Sequence, residues 1–349
     1  QLREALSAPA RAKARIVSRI KVMARLDIAE KRLPQDGRIS LSLGGRNVDV
    51  RVATLPSRYG ERVVMRILDK DQGLRSLDTL GLPATVQTRF RAMLGAPNGI
   101  VLVTGPTGSG KTTTLYAALN ILNDKARNIL TVEDPIEYAV DGIGQTQVNP
   151  KIGLTFASGL RALLRQDPDV IMIGEIRDAE TAQIAVQASL TGHLVFSTVH
   201  TNSAVAAITR LKDMGVEPYL LASTVRGVLA QRLVRRLCGA CKRPAVIGAQ
   251  EQAQFAALGI TDPQVFEAQG CPACKGTGYV GRIGLYEFVA VDDDLRRLIH
   301  ADATEDALEA VAFREGEPLR HSGLRAAAAG ITSLSDVLRV LGSLGAGAG

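Results

Sequence analysis

A phosphate-binding loop constrains the fold of this chain more than any other feature of its sequence. The pattern G-x-x-x-x-G-K-[ST] is matched in order by Gly105, Pro106, Thr107, Gly108, Ser109, Gly110, Lys111 and Thr112. An apolar run at 100–104 precedes the loop and a helix-like segment at 113–119 follows it, which is the context that the motif requires. Backbone N–H groups of such a loop surround an anion, and the helix N-terminus adds positive potential. We therefore predict a nucleoside triphosphate site; the alternative is a glycine-rich turn that merely contains the letters GKT.

Individual residues of the loop have distinct expected roles. Lys111 reaches the outer phosphates, and the hydroxyl of Thr112 ligates magnesium. Thr113, the next residue, belongs to the predicted nucleotide-binding set. A nucleoside triphosphate and Mg²⁺ are the ligands expected from the loop alone.

Strands alternate with helices from residue 98 to about 235, which predicts an α/β domain with a parallel sheet and helices on both faces. Ligands gather at the carboxyl ends of the strands in such sheets. Apolar runs at 129–132, 170–173 and 194–199 lead to Glu133, Glu175 and His200. These side chains are therefore expected at the same edge of the sheet as the phosphate loop.

Carboxylates at two of these strand ends are candidates for metal binding and water activation. Glu175 occupies the position of a Walker B glutamate, where a negative group holds magnesium through water or activates the attacking water. An ordinary surface carboxylate is the alternative. Glu133 and Asp134, one strand over, can share this work, and the sequence does not divide the roles between them.

His200 closes the segment 191–202 and is a candidate sensor of the γ-phosphate through a hydrogen bond. A histidine with no such role is the competing interpretation, which the strand-end position of His200 weakens. His193 lies at the other end of the same strand and is interpreted as structural.

Four arginines are candidates for neutralising the charge that develops during phosphoryl transfer. Arg161 and Arg165 lie four residues apart, so a helix would present them on one side, while Arg51 and Arg66 lie on predicted strands of the first domain. Each of them taken singly is better explained as a surface salt bridge of little energetic value.

All four cysteines of the chain fall in two C-x-x-C pairs, formed by Cys238, Cys241, Cys271 and Cys274. Thiolates with this spacing supply four sulfurs to a tetrahedral site, and zinc is its usual occupant. A redox dithiol would need only one pair, and disulfides are rare in the cytosol. The pattern predicts a closed structural zinc site without catalytic function.

The first 70 residues predict a small α+β domain. A helix at 11–26 precedes alternating segments at 39–43, 48–52 and 62–68, with connections at Gly44-Gly45 and Pro56-Ser57. A polar stretch at 69–73 is interpreted as a linker, and a helix at 84–93 leads into the phosphate-loop strand.

Composition limits the possible partners and location. The formal net charge of +7 permits nucleic acid or anionic lipid partners, but 4% aromatic residues and no Trp leave little material for base stacking, which counts against nucleic acid. No apolar run reaches the roughly 18 residues needed to cross a bilayer. The chain is expected in the cytoplasm. It begins without Met, and we expect it to be a fragment of a longer protein.

These motifs, in their order and spacing, resemble those of the type II secretion ATPases, the E-type secretion ATPases, which are related to the type IV pilus assembly ATPases. The resemblance covers roughly residues 15–345 and rests on 33–38, 105–112, 131–138, 164–178 and 191–202. It implies an Asp box at 131–138, a Walker B element at 170–175, a His box at 191–202, a zinc subdomain, and nucleotide contacts by Arg51, Arg66, Arg161 and Arg165.

The resemblance also implies a fold and an assembly. The fold class is α/β: a RecA-like P-loop NTPase domain with a parallel-type sheet, preceded by a small α+β domain and carrying a tetracysteine zinc subdomain. The expected divisions are 1–70 (N-terminal domain), 71–97 (linker and lead-in helix), 98–235 (ATPase core), 236–282 (zinc subdomain) and 283–349 (C-terminal helices). A homohexamer on the cytoplasmic face of the inner membrane is implied, with ATP bound between the two domains.

An ATP hydrolase that drives pseudopilus assembly for protein secretion is thus the leading hypothesis. A pilus assembly ATPase, a RecA-like nucleic-acid motor and a nucleotide-dependent scaffold without turnover are the alternatives. Family members carry a further N-terminal domain that docks on an inner-membrane platform partner. Because nothing resembling that domain is present here, we expect recruitment to the membrane to be lost or weak.

Overall fold

The computed structural model describes residues 4–43, 46–69, 75–314 and 316–342. Contacts divide the chain into two compact units, Gln1–Leu74 with Glu137–Ala139, and Arg75–Ile136 with Val140–Gly349. The predicted connection at Gly44-Gly45 and residues 70–73 of the predicted linker lie outside the described residues.

The first unit combines one helix with a three-stranded antiparallel sheet. Its elements are α1 (Lys13–Met23), β1 (Gln35–Leu43), β2 (Arg46–Ser57) and β3 (Gly60–Asp69), with strand order β1-β2-β3. Ala24, at the end of the helix, packs with apolar side chains from one face of the sheet, which include Ile39, Val50 and Val52. This is the α+β arrangement that the alternating segments predict.

The connection between β2 and β3 differs from the prediction. Pro56 and Ser57 do not form the break, because both belong to β2, and Pro56 pairs with Glu61. Since β1 reaches only as far as Thr54 of β2, Pro56 has a partner strand on one side alone. A proline is tolerated there because its missing N–H faces no neighbouring strand.

The second unit is built on a seven-stranded sheet with the order β12-β9-β4-β8-β7-β5-β6. Its strands are β4 (Gly99–Thr104), β5 (Ile129–Glu133), β6 (Gly144–Gln147), β7 (Val170–Ile173), β8 (Leu194–Val199), β9 (Val225–Leu237) and β12 (Tyr279–Ala290). Neighbours are parallel except for the antiparallel pair of β9 and β12. β4, β7 and β8 are buried along their whole length, as expected for near-continuous apolar strands covered by helices.

Helices of the second unit connect and cover these strands. They are α2 (Ala84–Leu94), α3 (Lys111–Leu122), α4 (Phe156–Leu163), α5 (Ala179–Leu190), α6 (Ala204–Asp213), α7 (Pro218–Thr224), α9 (Asp293–His300), α10 (Glu305–Ala312), α11 (Leu319–Ala328) and α12 (Leu334–Leu341). The predicted α/β class with a mostly parallel sheet is confirmed.

The cysteine-bearing segment lies between β9 and β12. It contains β10 (Arg243–Pro244), α8 (Ala249–Ala257) and β11 (Phe266–Glu267). Its Phe255 and Val265 share an apolar cluster with Leu324 and Val337 of the C-terminal helices. The sheet of the second unit continues past residue 235, because it includes β12. The five domain ranges given above stay predictions.

Candidate nucleotide site and cysteine cluster

The phosphate loop joins β4 to α3 through glycines with positive φ. Gly105, Gly108 and Gly110 have φ values of 144°, 79° and 91°. A Cβ at Gly105 would lie 2.5 Å from the carbonyl oxygen of Gln231, so a side chain there has no space. The loop therefore requires glycine for both its conformation and its close approach to β9.

Lys111, the first residue of α3, lies across the loop that precedes it. Its Nζ donates hydrogen bonds to the carbonyl oxygens of Gly105 at 2.7 Å and of Pro106 at 3.2 Å. Burial lowers the pKa of Lys111 to about 8, while the negative charge of Glu175 opposes that shift. The ammonium is thus held at the phosphate loop with a carboxylate close by. Thr112 and Thr113 follow it in the first turn of α3 and are partly buried.

Glu133, the last residue of β5, is 2% exposed and fully engaged by hydrogen-bond donors. Its carboxylate accepts hydrogen bonds from Thr131 Oγ1 at 2.6 Å, from Gln145 Nε2 at 3.0 Å and from the hydroxyl of Tyr116. Such donors compensate for the loss of water around a buried carboxylate. Its neighbour Asp134 is exposed and precedes a cis peptide bond.

Glu175 follows β7 and lies beside His200, as the strand-end argument predicts. The distance from His200 Nε2 to Glu175 Oε2 is 3.4 Å, and Glu175 also forms an ion pair with Arg177. Burial and the charge of Lys111 lower the pKa of His200, although Glu175 opposes them. The lowered pKa favours the neutral imidazole, whose Nε2 faces the Glu175 carboxylate.

The four predicted arginines are more exposed than Lys111, Glu133 and Glu175. In the first unit Arg51 and Arg66 are direct cross-strand partners, and Arg51 Nη2 is 3.8 Å from Asp36 Oδ1. In the second unit Arg161 Nη2 is 2.5 Å from Glu180 Oε1.

The prediction that Arg161 and Arg165 share one face of a helix is wrong. α4 ends at Leu163, and Arg165 lies in the turn that follows, where its N–H donates to the carbonyl oxygen of Ala162. The segment after Leu163 turns toward β7 and does not continue the helix.

Sequence reasoning missed residues that hold this site in place. Gln231 and Arg232 of β9 contact the phosphate loop and the segment after β8, and Arg177 engages Glu175. The available signal was a glutamine and an arginine after the apolar run at 228–230, although strand polarity alone does not reveal what such residues contact.

The four cysteine sulfurs lie within 4.8 Å of one another. Sγ–Sγ distances are 3.9 Å for Cys238 and Cys271, 3.8 Å for Cys241 and Cys274, and 3.7 Å for Cys271 and Cys274. A tetrahedron with metal–sulfur bonds of about 2.3 Å has edges of about 3.8 Å. The donor set therefore fits zinc.

Backbone N–H groups also favour a thiolate in this cluster. Those of Cys271 and Gly278 both lie 3.1 Å from Cys274 Sγ. Burial opposes ionisation, but these donors lower the pKa of Cys274 to about 6. A metal-binding sulfur must be a thiolate, so this environment suits a ligand.

Across the described parts of the chain, no helix has the length and apolar character to cross a bilayer.

The sequence of this chain is similar to those of known secretion proteins. The family model described as "Type II/IV secretion system protein" matches residues 1–339. The "Type II secretion system ATPase E" of Vibrio cholerae is 58% identical over 97% of this chain and 67% of its own length. The "Type II secretion system protein E" of Pseudomonas aeruginosa is 59% identical over 97% of this chain and 68% of its own length.

Two solved structures are similar to this chain in fold. The pilus retraction motor PilT, solved with bound ADP, has a TM-score of 0.66 and 27% identity, covering 88% of this chain and 78% of its own. The ATPase DotB of Yersinia pseudotuberculosis has a TM-score of 0.67 at 24% identity, covering 93% of this chain and 81% of its own.

Proposed function

Because the chain belongs to the type II/IV secretion system protein family, we propose that its strand-end site hydrolyses ATP to drive pseudopilus assembly in type II secretion. The resemblance inferred from the motifs is confirmed by this membership. The names of the two bacterial relatives support the secretion branch over the pilus branch, since the retraction motor is far less similar.

One observation carries the proposal: Lys111, Glu175 and His200 lie together beside the phosphate loop. The loop and Lys111 bind the phosphates, and Thr112 with Glu175 would hold magnesium, which when bound offsets the negative charge of the phosphate oxygens. Glu175 also orients the attacking water. His200, beside Glu175, is the proposed sensor of the γ-phosphate through a hydrogen bond. Glu133 supports this edge through its buried hydrogen bonds.

The arginines complete the site in an assembly. Arg51, Arg66, Arg161 and Arg165 are proposed to neutralise phosphate charge in a homohexamer, the state that the family resemblance implies. Exposed ion pairs such as that of Arg161 with Glu180 are weak enough to be exchanged for a phosphate. The proposed location is peripheral, on the cytoplasmic face of the inner membrane beside the platform proteins, where the positive net charge also favours anionic lipid.

Zinc is the proposed occupant of the cysteine cluster. With four protein ligands the site is closed to water and substrate, so its role is structural. It would fasten the segment between β9 and β12.

Phosphate release tests the proposed activity. The wild-type chain should release phosphate from ATP with Mg²⁺ and not with a chelator. Lys111→Ala should lose nucleotide binding and hydrolysis, and the matched exposed change Lys151→Ala should retain both. Hydrolysis by Lys111→Ala at the wild-type rate would overturn the proposal.

A further inference from the structure

Strand β9 carries two adjacent buried polar residues in the middle of an otherwise apolar stretch. Gln231 is 2% exposed and Arg232 is 5% exposed, and they follow Val228, Leu229 and Ala230. Burying an amide and a guanidinium is unfavourable unless each has hydrogen-bond partners. Neighbouring residues of a strand point to opposite faces, so the two side chains lie on different sides of the sheet.

Gln231 holds the end of the phosphate loop against the start of α3. Its Nε2 donates to the carbonyl oxygen of Ser109 at 2.7 Å, and its Oε1 accepts from Thr114 Oγ1 at 2.8 Å. A Cβ at Gly110 would lie 3.1 Å from the same Nε2, so the loop packs directly on the amide. One side chain thereby fixes a loop carbonyl and the first turn of the helix that carries Lys111.

Arg232 holds the segment that carries His200. Its Nη2 donates to the carbonyl oxygen of Asn202 at 2.9 Å, and its Nη1 donates to the carbonyl oxygen of Gln231 at 3.0 Å. Asn202 is two residues from His200. The arginine therefore joins β9 to the strand-end segment that leads into α6.

Glu287 of β12 supplies the buried negative charge that accompanies this arginine. It is 3% exposed, and its two oxygens accept the N–H groups of Ala204 at 2.6 Å and Leu319 at 2.9 Å, the first residues of α6 and α11. A carboxylate at a helix N-terminus is favourable, and here a single carboxylate serves two helices. Arg232 thus holds the carbonyl of Asn202, and Glu287 holds the N–H of Ala204 two residues along.

We propose that Gln231 and Arg232 are positioning residues of the nucleotide site, with separate effects: Gln231 fixes the phosphate loop, and Arg232, supported by Glu287, fixes the segment that presents His200. The proposal rests on the proposed ATPase function. Because the phosphate loop contacts every phosphate of a bound nucleotide, loss of Gln231 should weaken binding of diphosphate and triphosphate alike. Because His200 is assigned to the γ-phosphate alone, a change that weakens the hydrogen bonds of Arg232 but keeps its positive charge beside the phosphate loop should slow hydrolysis and affect diphosphate binding far less.

Titration of the full chain with a fluorescent ADP analogue, together with steady-state ATP hydrolysis, tests this split. Gln231→Glu keeps the acceptor for Thr114 and loses the donor to Ser109, so its Kd for the analogue should rise about tenfold, with kcat within about threefold. Arg232→Lys cannot reach both carbonyl oxygens, so its kcat should fall about tenfold while the Kd changes less than about twofold. The matched controls are Gln183→Glu on α5 and Arg236→Lys, an exposed position of β9; both should match the wild type.

A second variant covers the case in which Gln231→Glu does not fold. Thr114→Val removes the hydroxyl that donates to Gln231 and preserves the shape of the side chain, so it should raise the Kd about threefold to tenfold. Unchanged Kd values in Thr114→Val and in folded Gln231→Glu would overturn the role of Gln231. Equal losses of binding and kcat in Arg232→Lys would overturn the split.

Failure of the positioning proposal and failure of the proposed function are distinguishable. If Lys111→Ala abolishes binding while Gln231→Glu and Arg232→Lys resemble the wild type, only the positioning proposal fails. If Lys111→Ala binds and hydrolyses normally, the nucleotide site itself is wrong and the proposal fails with it.

Discussion

Two sets of residues predicted to act on ATP differ in how the fold holds them. Lys111, Glu133 and Glu175 are buried or nearly so, and the second unit supplies their hydrogen bonds and ion pairs. Arg51 and Arg161 keep 42% and 51% of their side chains exposed and form single surface ion pairs.

This difference indicates which side chains a single chain can hold in position for ATP and which ones require an assembly. A buried charged group without partners is strongly destabilising, so the fold must fix the buried set before any nucleotide arrives. An exposed ion pair contributes about 0–1 kcal/mol, so an arginine can leave it with little loss. We therefore expect the buried set to bind nucleotide in a single chain, and the arginines to act on hydrolysis after assembly.

The largest expected effect is on the buried set, in Glu175→Gln. The change removes the charge that orients water and faces the metal, so kcat should fall by about 10²–10⁴-fold. Binding of ADP should change less than about threefold, because Lys111 and the loop are intact. Phosphate release and ADP titration measure the two effects, with the exposed Glu217→Gln as the control. A variant that keeps its kcat would remove Glu175 from the mechanism.

A smaller effect is expected from the exposed set, in Arg161→Ala. Loss of a charge that acts only in the assembly should lower kcat about 10–100-fold, less than a complete arginine finger contributes. Thermal unfolding should be unchanged, because the ion pair with Glu180 is exposed. The two measurements together decide to which set the residue belongs. Destabilisation by Arg161→Ala would show that this arginine belongs with the buried set.

The cysteine cluster extends the comparison to a site for which we propose a structural role. Cys271→Ser should lower the free energy of unfolding by more than about 2 kcal/mol, because a closed metal site contributes directly to folding. A chelator should destabilise the wild type and leave the variant unaffected. Zinc analysis should give one ion per wild-type chain, and equal stability of the two proteins would exclude a structural metal.

The smallest expected effect tests the premise that a buried carboxylate with hydrogen-bond partners contributes more to stability than an exposed ion pair. Burial opposes ionisation of Asp336, but hydrogen bonds from the side chain and backbone of Arg235 and from Arg339 lower its pKa. A lowered folded pKa means stability that is present at neutral pH and is lost as pH falls below about 4. Asp336→Asn should therefore cost about 1–2 kcal/mol at pH 7 and markedly less near pH 2.

Urea unfolding at both pH values measures this difference. The matched change is Glu317→Gln, whose pair with Arg325 is half exposed, and it should cost less than about 0.5 kcal/mol. Equal costs for the two variants would contradict the premise.

The comparison also explains what the sequence could predict. The phosphate loop and the residues at the ends of β5, β7 and β8 were identifiable because parallel strands end at a common edge, whichever helices connect them. The cysteine pairs were identifiable because their spacing is local. The predicted strands agree with the structure where apolar residues run continuously.

Other features depend on contacts between distant parts of the chain. Gln231 lies 122 residues from Ser109, and no local pattern relates them. The end of α4 at Leu163 places Arg165 in a turn, which the four-residue spacing of the arginines does not reveal. Pro56 is accepted within β2 because β1 ends earlier, a fact about the neighbouring strand.

Nucleotide binding and hydrolysis measured on the same samples across a range of protein concentrations, with light scattering to report mass, test the central claim most directly. We predict a constant Kd for the ADP analogue, while hydrolysis per chain rises with assembly in the wild type and stays low in Arg51→Ala. Hydrolysis per chain that is constant with concentration and unaffected by Arg51→Ala would contradict the account, because the buried set would then suffice for turnover on its own.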